Sequence, residues 1–224
     1  MNDMTNQKTR LKKTVNRSQQ FLNSARDLFF KKGYQGTTIE QIAKKAGYSK
    51  RAVYMDYKNK DELFMYIVAE GVSLLLNQVK EINHDQLSVE KVIEQFFDIY
   101  IQFSRDHREY FRIIFNEAKP EIIQNASIRI QQKVSELERA CLNEVVKVAE
   151  RAIHEKIVSN IDPWETAGIF IGSITGIILL SMGGSQTVFT QDRLNDLGKR
   201  AIQLLWLGIQ TQHENGKQRL LIKE

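Results

Sequence analysis

Four side chains between positions 50 and 55 have the chemistry needed to contact a nucleic acid. Lys50 and Arg51 are adjacent cationic donors, and Tyr54 and Met55 follow them at helical spacing. Arginine or lysine donates hydrogen bonds to O6 and N7 of guanine in the major groove of DNA. Ser49 is suited to begin a helix whose exposed N–H groups face a phosphate. These residues predict a DNA-reading surface, provided that one helix presents them together.

Two short helices and the turn between them would position that surface. The first is expected from about 38 to 46, with Thr38 and Gln41 as a capping box. Gly47 then interrupts the chain, and the second helix runs from Ser49 to about 57, with its apolar side turned inward. Two short helices joined by a glycine-containing turn form a helix-turn-helix. A short surface helix in a bundle is the alternative interpretation of the second helix.

Charge is distributed unevenly along the chain. The first 60 residues carry fourteen Lys or Arg and four acids, a net charge of +10, whereas the rest carries −5, which together give +5. A basic segment followed by an acidic body is typical of a protein whose N-terminal part alone meets a polyanion. A solvated basic tail is the other interpretation of the charge considered by itself.

The sequence predicts an all-α fold, because apolar residues recur at spacings of three and four almost everywhere and strand-like alternation is scarce. In the N-terminal part, a first helix is expected over about 17–32, ending at Gly33, and a fourth over about 61–82. Longer helices are expected beyond Asn83, at about 88–105, 108–117, 120–157, 163–183 and 191–213.

Little in the sequence supports an enzyme. The four histidines are scattered without metal-ligand spacing, and no nucleophile elbow, phosphate-binding glycine loop or cysteine cluster occurs. We therefore predict no catalytic residue, no metal site and no cofactor. The single cysteine, Cys141, falls on an apolar helical stripe, and the first residues lack the apolar core of a signal peptide. Both features indicate a protein of the reducing cytoplasm.

The segment Ala167–Gly183 is uncharged and could be mistaken for a membrane span. Gly168, Gly172 and Gly176 give it the small-residue spacing of closely packed membrane helices. Its 17 residues fall short of the ~20 that cross a bilayer, and no basic residues flank it closely. A helix that is buried all round and packed through its glycines against another helix is the favoured interpretation, and no membrane partner is predicted.

Residues 17–64 resemble the DNA-binding domain of the TetR family. The positions that match, at consistent spacing, are Ala25, Leu28, Phe29, Gly33, Tyr34, Thr37, Thr38, Ile42, Ala43, Ala46, Gly47, Ser49, Lys50, Val53, Tyr54, Tyr57, Lys60, Leu63 and Phe64. The resemblance implies that Thr38, Ser49, Lys50, Tyr54 and Lys60 contact phosphates or bases of double-stranded DNA.

The resemblance also implies a function. It predicts a homodimeric transcriptional regulator that binds a palindromic operator, represses, and is released by a small-molecule effector. A transcriptional activator, or a DNA-binding protein of the same fold without sequence specificity, is the alternative. Two positions depart from the family pattern: Arg51 stands where many members have a small residue, and Asp56 where they commonly have histidine. Arg51 adds a donor at the groove, whereas the negative charge of Asp56 disfavours contact unless it pairs with a cation.

The C-terminal body is expected to dimerise and to bind the effector. By resemblance, the last two helices of each subunit form a four-helix interface, for which we predict Gly168, Gly172, Gly176, Leu197, Ala201 and Leu205; burial within one subunit is the alternative. An apolar or aromatic effector could lie among Phe96, Tyr100, Phe103, Phe111 and Phe115, although ordinary core packing explains most of these rings. Arg105, Arg108 and Arg112 would suit an anionic ligand, with solvated surface as the default.

These expectations divide the chain into four parts. A mobile basic arm over 1–16 carries Lys8, Arg10, Lys12 and Lys13, and the DNA-binding domain over 17–64 has its reading motif at about 38–58. A connecting helix over 65–83 leads to a ligand-binding and dimerisation domain over 84–224.

Overall fold

The computed structural model describes residues 2–159, 161–183 and 190–221, with side chains from residue 15 to residue 211 within these ranges. Every regular element in these ranges is helical, as predicted. The elements are α1 (Asn2–Lys32), α2 (Ile39–Ala46), α3 (Lys50–Asp56), α4 (Lys60–Lys80), a 3-10 turn (His84–Gln86), α5 (Val89–Asp106), α6 (Arg108–Arg112), a π-helical turn (Ile113–Glu117), α7 (Pro120–Asn125), α8 (Ile128–His154), α9 (Pro163–Met182) and α10 (Leu194–Leu221).

The chain forms two compact units. Met1–Gly71 and Glu109–Ser135 make up the first, which we call the head unit, and Val72–Arg108 and Glu136–Glu224 make up the second, the body unit. This division differs from the boundaries expected from the sequence, because residues 109–135 pack with the N-terminal helices rather than with the body.

The N-terminal three-helix domain of the head unit is built as predicted. Phe21, Ala25 and Phe29 form the fully buried face of α1, and Ile42 and Val53 cover it from α2 and α3. Burying such side chains stabilises each by about 1.5–3 kcal/mol relative to exposure. Two glycines with left-handed backbone, Gly33 at φ 70° and Gly47 at φ 78°, end α1 and α2.

The first helix is longer than predicted. Its backbone is helical from Asn2, whereas the sequence predicted a helix only from about residue 17. Residues 2–16 contain neither glycine nor proline to stop the helix, and α1 includes them although about half are Asn, Asp, Thr or Val, which have low helix propensity. The side chains of residues 1–14, and with them the basic residues predicted there, lie outside the described part.

The prediction of one continuous helix over 120–157 was wrong. The structure ends α7 at Asn125, places Ala126 in extended backbone at ψ 168°, and starts α8 at Ile128. The cause of the break is a set of hydrogen bonds to residues about 66 positions earlier in the chain. The spacing of apolar residues along the chain does not predict these hydrogen bonds.

The body unit is organised around α5, α9 and α10. Val92, Phe97 and Ile101 line the buried face of α5, and Ile178 is the most buried residue of α9. α10 approaches α5 so closely that a Cβ at Gly198 would lie 1.8 Å from Cζ of Phe97. A side chain at position 198 would therefore require the Phe97 ring to move.

Two helical segments are long and apolar enough to cross a membrane by length and composition alone. Lys60–Gln86 is mostly buried, as is usual for a core helix of a globular protein. Pro163–Met182 is mostly exposed in the single chain, so the prediction that this helix is buried all round does not hold within one protomer.

Candidate nucleic-acid interface

The reading helix α3 begins at a cap supplied by Ser49. The Ser49 hydroxyl accepts a hydrogen bond from the Ala52 backbone N–H at 3.3 Å, which satisfies one of the orphan donors of the first turn. Val53 is fully buried and Tyr57 is 6% exposed, so the helix is anchored through one face. The opposite face presents the predicted residues to solvent, namely Lys50, Arg51, Tyr54 and Met55.

The preceding helix is fixed by the predicted capping box. The Thr38 hydroxyl accepts from the Gln41 backbone N–H, and the Gln41 side chain accepts from the Thr38 backbone N–H, both at 3.3 Å. Gly47 then turns the chain into α3, and Tyr48 in this turn donates its hydroxyl to Oε1 of Gln20 at 2.9 Å. The two helices are therefore held at both ends, as a rigid reading element requires.

Lys50 is already engaged within the protein. Its ammonium forms an exposed ion pair with Glu40 of α2 and lies 5.7 Å from the centre of the Tyr54 ring. The hydrogen bond from Lys50 lowers the pKa of Glu40, and the same bond raises the pKa of Lys50. Solvent screens such an exposed pair, so Lys50 can exchange Glu40 for another anion at little cost.

Asp56 is paired with cationic and polar groups of α1. Its carboxylate accepts from Nε of Arg17 at 3.0 Å, from a second guanidinium nitrogen of the same residue, and from the Ser18 hydroxyl at 2.9 Å. The Asp56 side chain is only 5% exposed. The charge that departs from the family pattern is thus neutralised inside the head unit, and Arg17 is its partner.

Lys60, at the start of α4, is turned toward the backbone. Its ammonium donates to the carbonyl oxygens of Tyr34 and Thr37, each at 3.0 Å, and stands 3.9 Å from the centre of the Tyr34 ring. Burial lowers the pKa of Lys60. Burial and a hydrogen bond to Asp61 together raise the pKa of the Tyr34 hydroxyl. In this state Lys60 closes the turn between α1 and α2.

Comparison with known proteins agrees with this geometry. The family model for bacterial regulatory proteins of the tetR family matches residues 21–67, which contain the whole helix-turn-helix. The HTH-type transcriptional regulator YhgD of Bacillus subtilis is 23% identical over 158 residues, covering 70% of this chain and 80% of YhgD. Residues 21–67 therefore form a helix-turn-helix domain of the tetR type.

Two solved structures show that the fold of this chain is shared beyond the reading domain. A tetR-family protein from Rhodococcus RHA1 superposes with a TM-score of 0.65 at 18% identity, over 86% of this chain and 96% of that one. The transcriptional regulator FadR from Bacillus subtilis, solved with stearoyl-CoA, gives 0.67 at 17% identity, over 85% and 98%. The chain therefore shares with these proteins the fold of an N-terminal helix-turn-helix domain followed by a helical C-terminal domain.

A feature of this regulator that sequence reasoning missed is a clamp on the C-terminal end of α1. Arg112 donates to the carbonyl oxygens of Phe29 and Phe30 at 3.1 and 3.2 Å. It also pairs with Glu109 and Glu117. Arg112 was predicted to serve either an anionic ligand or the solvated surface, and it instead supplies a cation where the helix dipole is negative.

Glu117 completes the clamp from the end of the π-helical turn. Its carboxylate accepts the backbone N–H of Tyr34 at 2.9 Å. The same carboxylate lies 3.6–3.7 Å from the point where a Cβ on Gly33 would stand. The α1–α2 turn of the head unit is therefore held by residues from much later in the chain.

A second clamp joins the α7–α8 break to the turn that follows the reading helix. The carbonyl oxygen of Asn125 accepts from Nζ of Lys58 at 3.1 Å and from Nδ2 of Asn59 at 2.9 Å. Ser127 donates its hydroxyl to Glu62, which also accepts the Lys58 backbone N–H. These bonds explain why the predicted long helix is broken at residues 126 and 127.

The aromatic residues predicted to line an effector site fall into both units. Phe96, Tyr100 and Phe103 are buried in the body unit, where the Tyr100 hydroxyl and the Thr175 hydroxyl are 3.0 Å apart. Phe111 and Phe115 belong to the head unit, with ring centroids 4.6 Å apart. The structure thus brings three of the five together in one unit and the other two in the second.

The predicted interface glycines of α9 face open space in the single chain. A Cβ at Gly168, Gly172 or Gly176 would meet no atom within 4 Å, and Ile169 on the same helix is 57% exposed. On α10, Leu204 and Leu207 are 64% and 57% exposed, whereas the predicted residues are half-buried, namely Leu197, Ala201 and Leu205.

Titratable groups that the structure describes outside the reading surface were compared with the arrangement that a metal site requires. Among the residues that the structure describes, no group of three or more His, Cys, Asp or Glu side chains is arranged to hold a metal ion. Cys141 is half-buried, and burial raises the pKa of its thiol to about 12. A thiol with such a pKa is unreactive at neutral pH, as expected of a packing residue rather than a nucleophile.

Proposed function

We propose that this protein is a homodimeric repressor that binds a palindromic DNA operator through α3 and is released by a small-molecule effector. The observation that carries the proposal is the exposed face of α3, on a helix-turn-helix that matches the tetR family model. Two such helices must lie about 34–36 Å apart in the dimer to enter successive major grooves. An activator would use the same DNA-binding geometry.

The capping hydroxyls are suited to phosphate contacts. Thr38 and Ser49 each use the hydroxyl oxygen to accept a backbone N–H. The Thr38 hydroxyl also forms a hydrogen bond with Glu40, a partner that it would exchange for DNA, and each hydroxyl has one proton to donate. A phosphate oxygen beside the helix-turn-helix would accept it. In this proposal the same groups that hold the helices also fix their position on DNA.

Lys50, Tyr54 and Lys60 complete the proposed backbone contacts. Lys50 exchanges its exposed partner Glu40 for a phosphate, and Tyr54 donates its hydroxyl. Lys60 has three N–H donors, of which two are used by the carbonyls of Tyr34 and Thr37. The third is available to a phosphate without disturbing the turn.

Dimerisation through α9 and α10 is supported by the surface that these helices leave uncovered. The open glycine row on α9 and the exposed Leu204 and Leu207 on α10 form apolar surface of the kind that marks an interface. Small residues allow two helix backbones to approach closely. A second copy of the chain would cover this surface by packing α9 and α10 against their equivalents.

For the effector we propose an apolar ligand, and an acyl thioester of coenzyme A as its first candidate. Buried aromatic side chains of the body unit, Phe96, Tyr100 and Phe103, would suit an acyl chain. FadR from Bacillus subtilis, which shares the fold, was solved with stearoyl-CoA. A ligand that prefers one geometry of the dimer would shift the population away from the form that fits DNA.

Fluorescence anisotropy tests this function directly. The purified full chain is titrated into a labelled duplex from upstream of its own gene and into a scrambled duplex, over a salt series. Binding of two protomers per site with about 10³-fold discrimination is expected for a specific regulator. Equal affinity for both duplexes would indicate a non-specific coating protein or an operator elsewhere, which selection from a random library separates. Stearoyl-CoA is then added, with free coenzyme A as the control, and release by the thioester alone is expected.

A further inference from the structure

We propose that Arg51 and Met55 act together as a base reader, in which Arg51 binds a guanine and Met55 recognises the C5-methyl group of a nearby thymine. The inference rests on the proposed function, because it requires α3 to lie in the major groove. It goes further by assigning the chemical group that one side chain selects.

Met55 is exposed to solvent and does not belong to the hydrophobic core. Its side chain is 70% exposed, the highest value among the large apolar side chains of the described residues. It follows Arg51 by four positions, so the two side chains share one edge of α3. Four residues advance about 6 Å along a helix. That distance is close to two base-pair steps of DNA at about 3.4 Å each.

Two other charged groups of α3 have partners inside the head unit. Lys50 is paired with Glu40, and the carboxylate of Asp56 with Arg17 and Ser18. Arg51 is exposed and takes part in no ion pair within the described ranges. Arg51 and Met55 therefore place one guanidinium, unpaired among the described residues, and one thioether on the same edge of α3, beside the exposed Tyr54.

The chemistry of these two groups selects two bases. The guanidinium donates two parallel hydrogen bonds to O6 and N7 of guanine. The flexible thioether cannot donate a hydrogen bond and instead packs against apolar surface, which in the major groove is the thymine methyl group. Cytosine presents an amino donor at the neighbouring position and no methyl group, so Met55 disfavours it.

The test alters the DNA by one methyl group at a time. A duplex is first selected by the full chain from a randomised library, and each thymine in its conserved positions is then replaced by uracil, which lacks only that methyl. At the thymine read by Met55, we expect binding to weaken about fourfold for one half-site, the loss that follows from exposing one methyl group. At other thymines no change is expected.

Variants connect this loss to the side chain. Met55→Ala should bind the thymine and uracil duplexes equally, whereas Ile128→Ala should retain the discrimination. Ile128 is the matched control because it is 67% exposed in the same unit but lies outside the helix-turn-helix. Replacing the guanine about two base-pair steps away by 7-deazaguanine, which lacks N7, should weaken wild-type binding and leave binding by Arg51→Ala unchanged.

The outcomes distinguish failure of the Met55 assignment from failure of the proposed sequence-specific DNA binding. If no uracil substitution weakens binding, or if the loss persists in Met55→Ala, Met55 does not read a methyl group. If the full chain selects no sequence from the library, the proposed specific function itself fails. The uracil series uses the unmodified protein, so its result does not depend on the folding of any variant.

Discussion

The carboxylate of Asp56, the last residue of α3, accepts hydrogen bonds from the guanidinium of Arg17 in α1, 39 positions earlier. This pair joins the end of the reading helix to the first helix of the head unit. It also neutralises a negative charge beside the surface proposed to face DNA.

Removing the Asp56 charge should destabilise the head unit. Asp56→Asn leaves the part-buried Arg17 guanidinium without its counter-ion, so we expect the free energy of unfolding to fall by about 1–3 kcal/mol. Urea denaturation measures this. Asp27→Asn is the matched control, since Asp27 pairs with Lys45 at the surface with both side chains exposed, and its loss should be below about 0.5 kcal/mol. Equal losses for the two variants would contradict a special role for the Arg17 pair.

The clamp on α1 should contribute to stability in the same way. Arg112→Ala removes the donor to Phe29 and Phe30 and leaves two carboxylates near the negative end of a helix. We expect a loss of about 1–3 kcal/mol in the free energy of unfolding. Arg108→Ala, an exposed arginine four residues earlier, should change it by less than about 0.5 kcal/mol. A result in which both variants melt together with the wild type would show that the clamp is not stabilising.

Arg51 should set sequence preference rather than overall DNA affinity. If it reads a base, Arg51→Ala weakens binding to the selected operator by about 1–3 kcal/mol and relaxes discrimination at one base pair of each half-site. Anisotropy against a series of single-base operator variants measures both quantities. A uniform loss over all sequences, with a shallower salt dependence, would make Arg51 a phosphate contact instead.

The apolar surface of α9 and α10 should be required for dimerisation. Gly172 faces open space, so Gly172→Leu fits within one protomer and adds helix propensity, but it would keep a partner helix at a distance. Light scattering during size-exclusion chromatography should report the mass of one chain for this variant and of two for the wild type. Glu150→Leu, at an exposed position of α8, should remain dimeric. A dimeric Gly172→Leu protein would locate the interface elsewhere.

Cys141 can report how the free energy of unfolding depends on pH and how often its buried thiol becomes accessible to solvent. Its pKa is raised by burial to about 12, from an ordinary value of 9.0, so the folded state keeps a proton that the unfolded state releases above pH 9. The free energy of unfolding should therefore fall as pH rises from about 9 to 12, and fall less steeply in Cys141→Ala.

The same thiol can be followed chemically, because the chain has one cysteine. At pH 8 the reaction of Cys141 with a chromogenic disulfide should be on the order of 10²–10³ slower in the folded protein than in urea. Comparable rates in the two conditions would show that the thiol is accessible and that burial does not control its pKa.

The sequence was informative wherever structure is decided by neighbouring residues. The boundaries of α2 and α3 follow from Thr38, Gly47 and Ser49, whose capping bonds span only a few positions. The outward face of α3 followed from helical periodicity alone. These features could therefore be predicted without any knowledge of the rest of the molecule.

Long-range bonds account for what the sequence did not predict. The break after Asn125 depends on Lys58 and Asn59, and the partner of Asp56 lies in another helix. Local sequence does not distinguish Arg112 from a solvated arginine, because the α1 carbonyl that it contacts lies 83 positions earlier in the chain. Apolar spacing records which face of a helix is buried, but it does not record which distant polar group will meet a given carbonyl.

The head unit consists of two chain segments, with residues 72–108 between them. During synthesis, the first 71 residues leave the ribosome before the residues that clamp them, and the α3–α4 turn gains its last bonds only after Ser127 has emerged. Completion of the DNA-binding unit is thus coupled to translation of more than half of the protein. A nascent or truncated chain that ends before this point would carry the helix-turn-helix without the bonds that hold it.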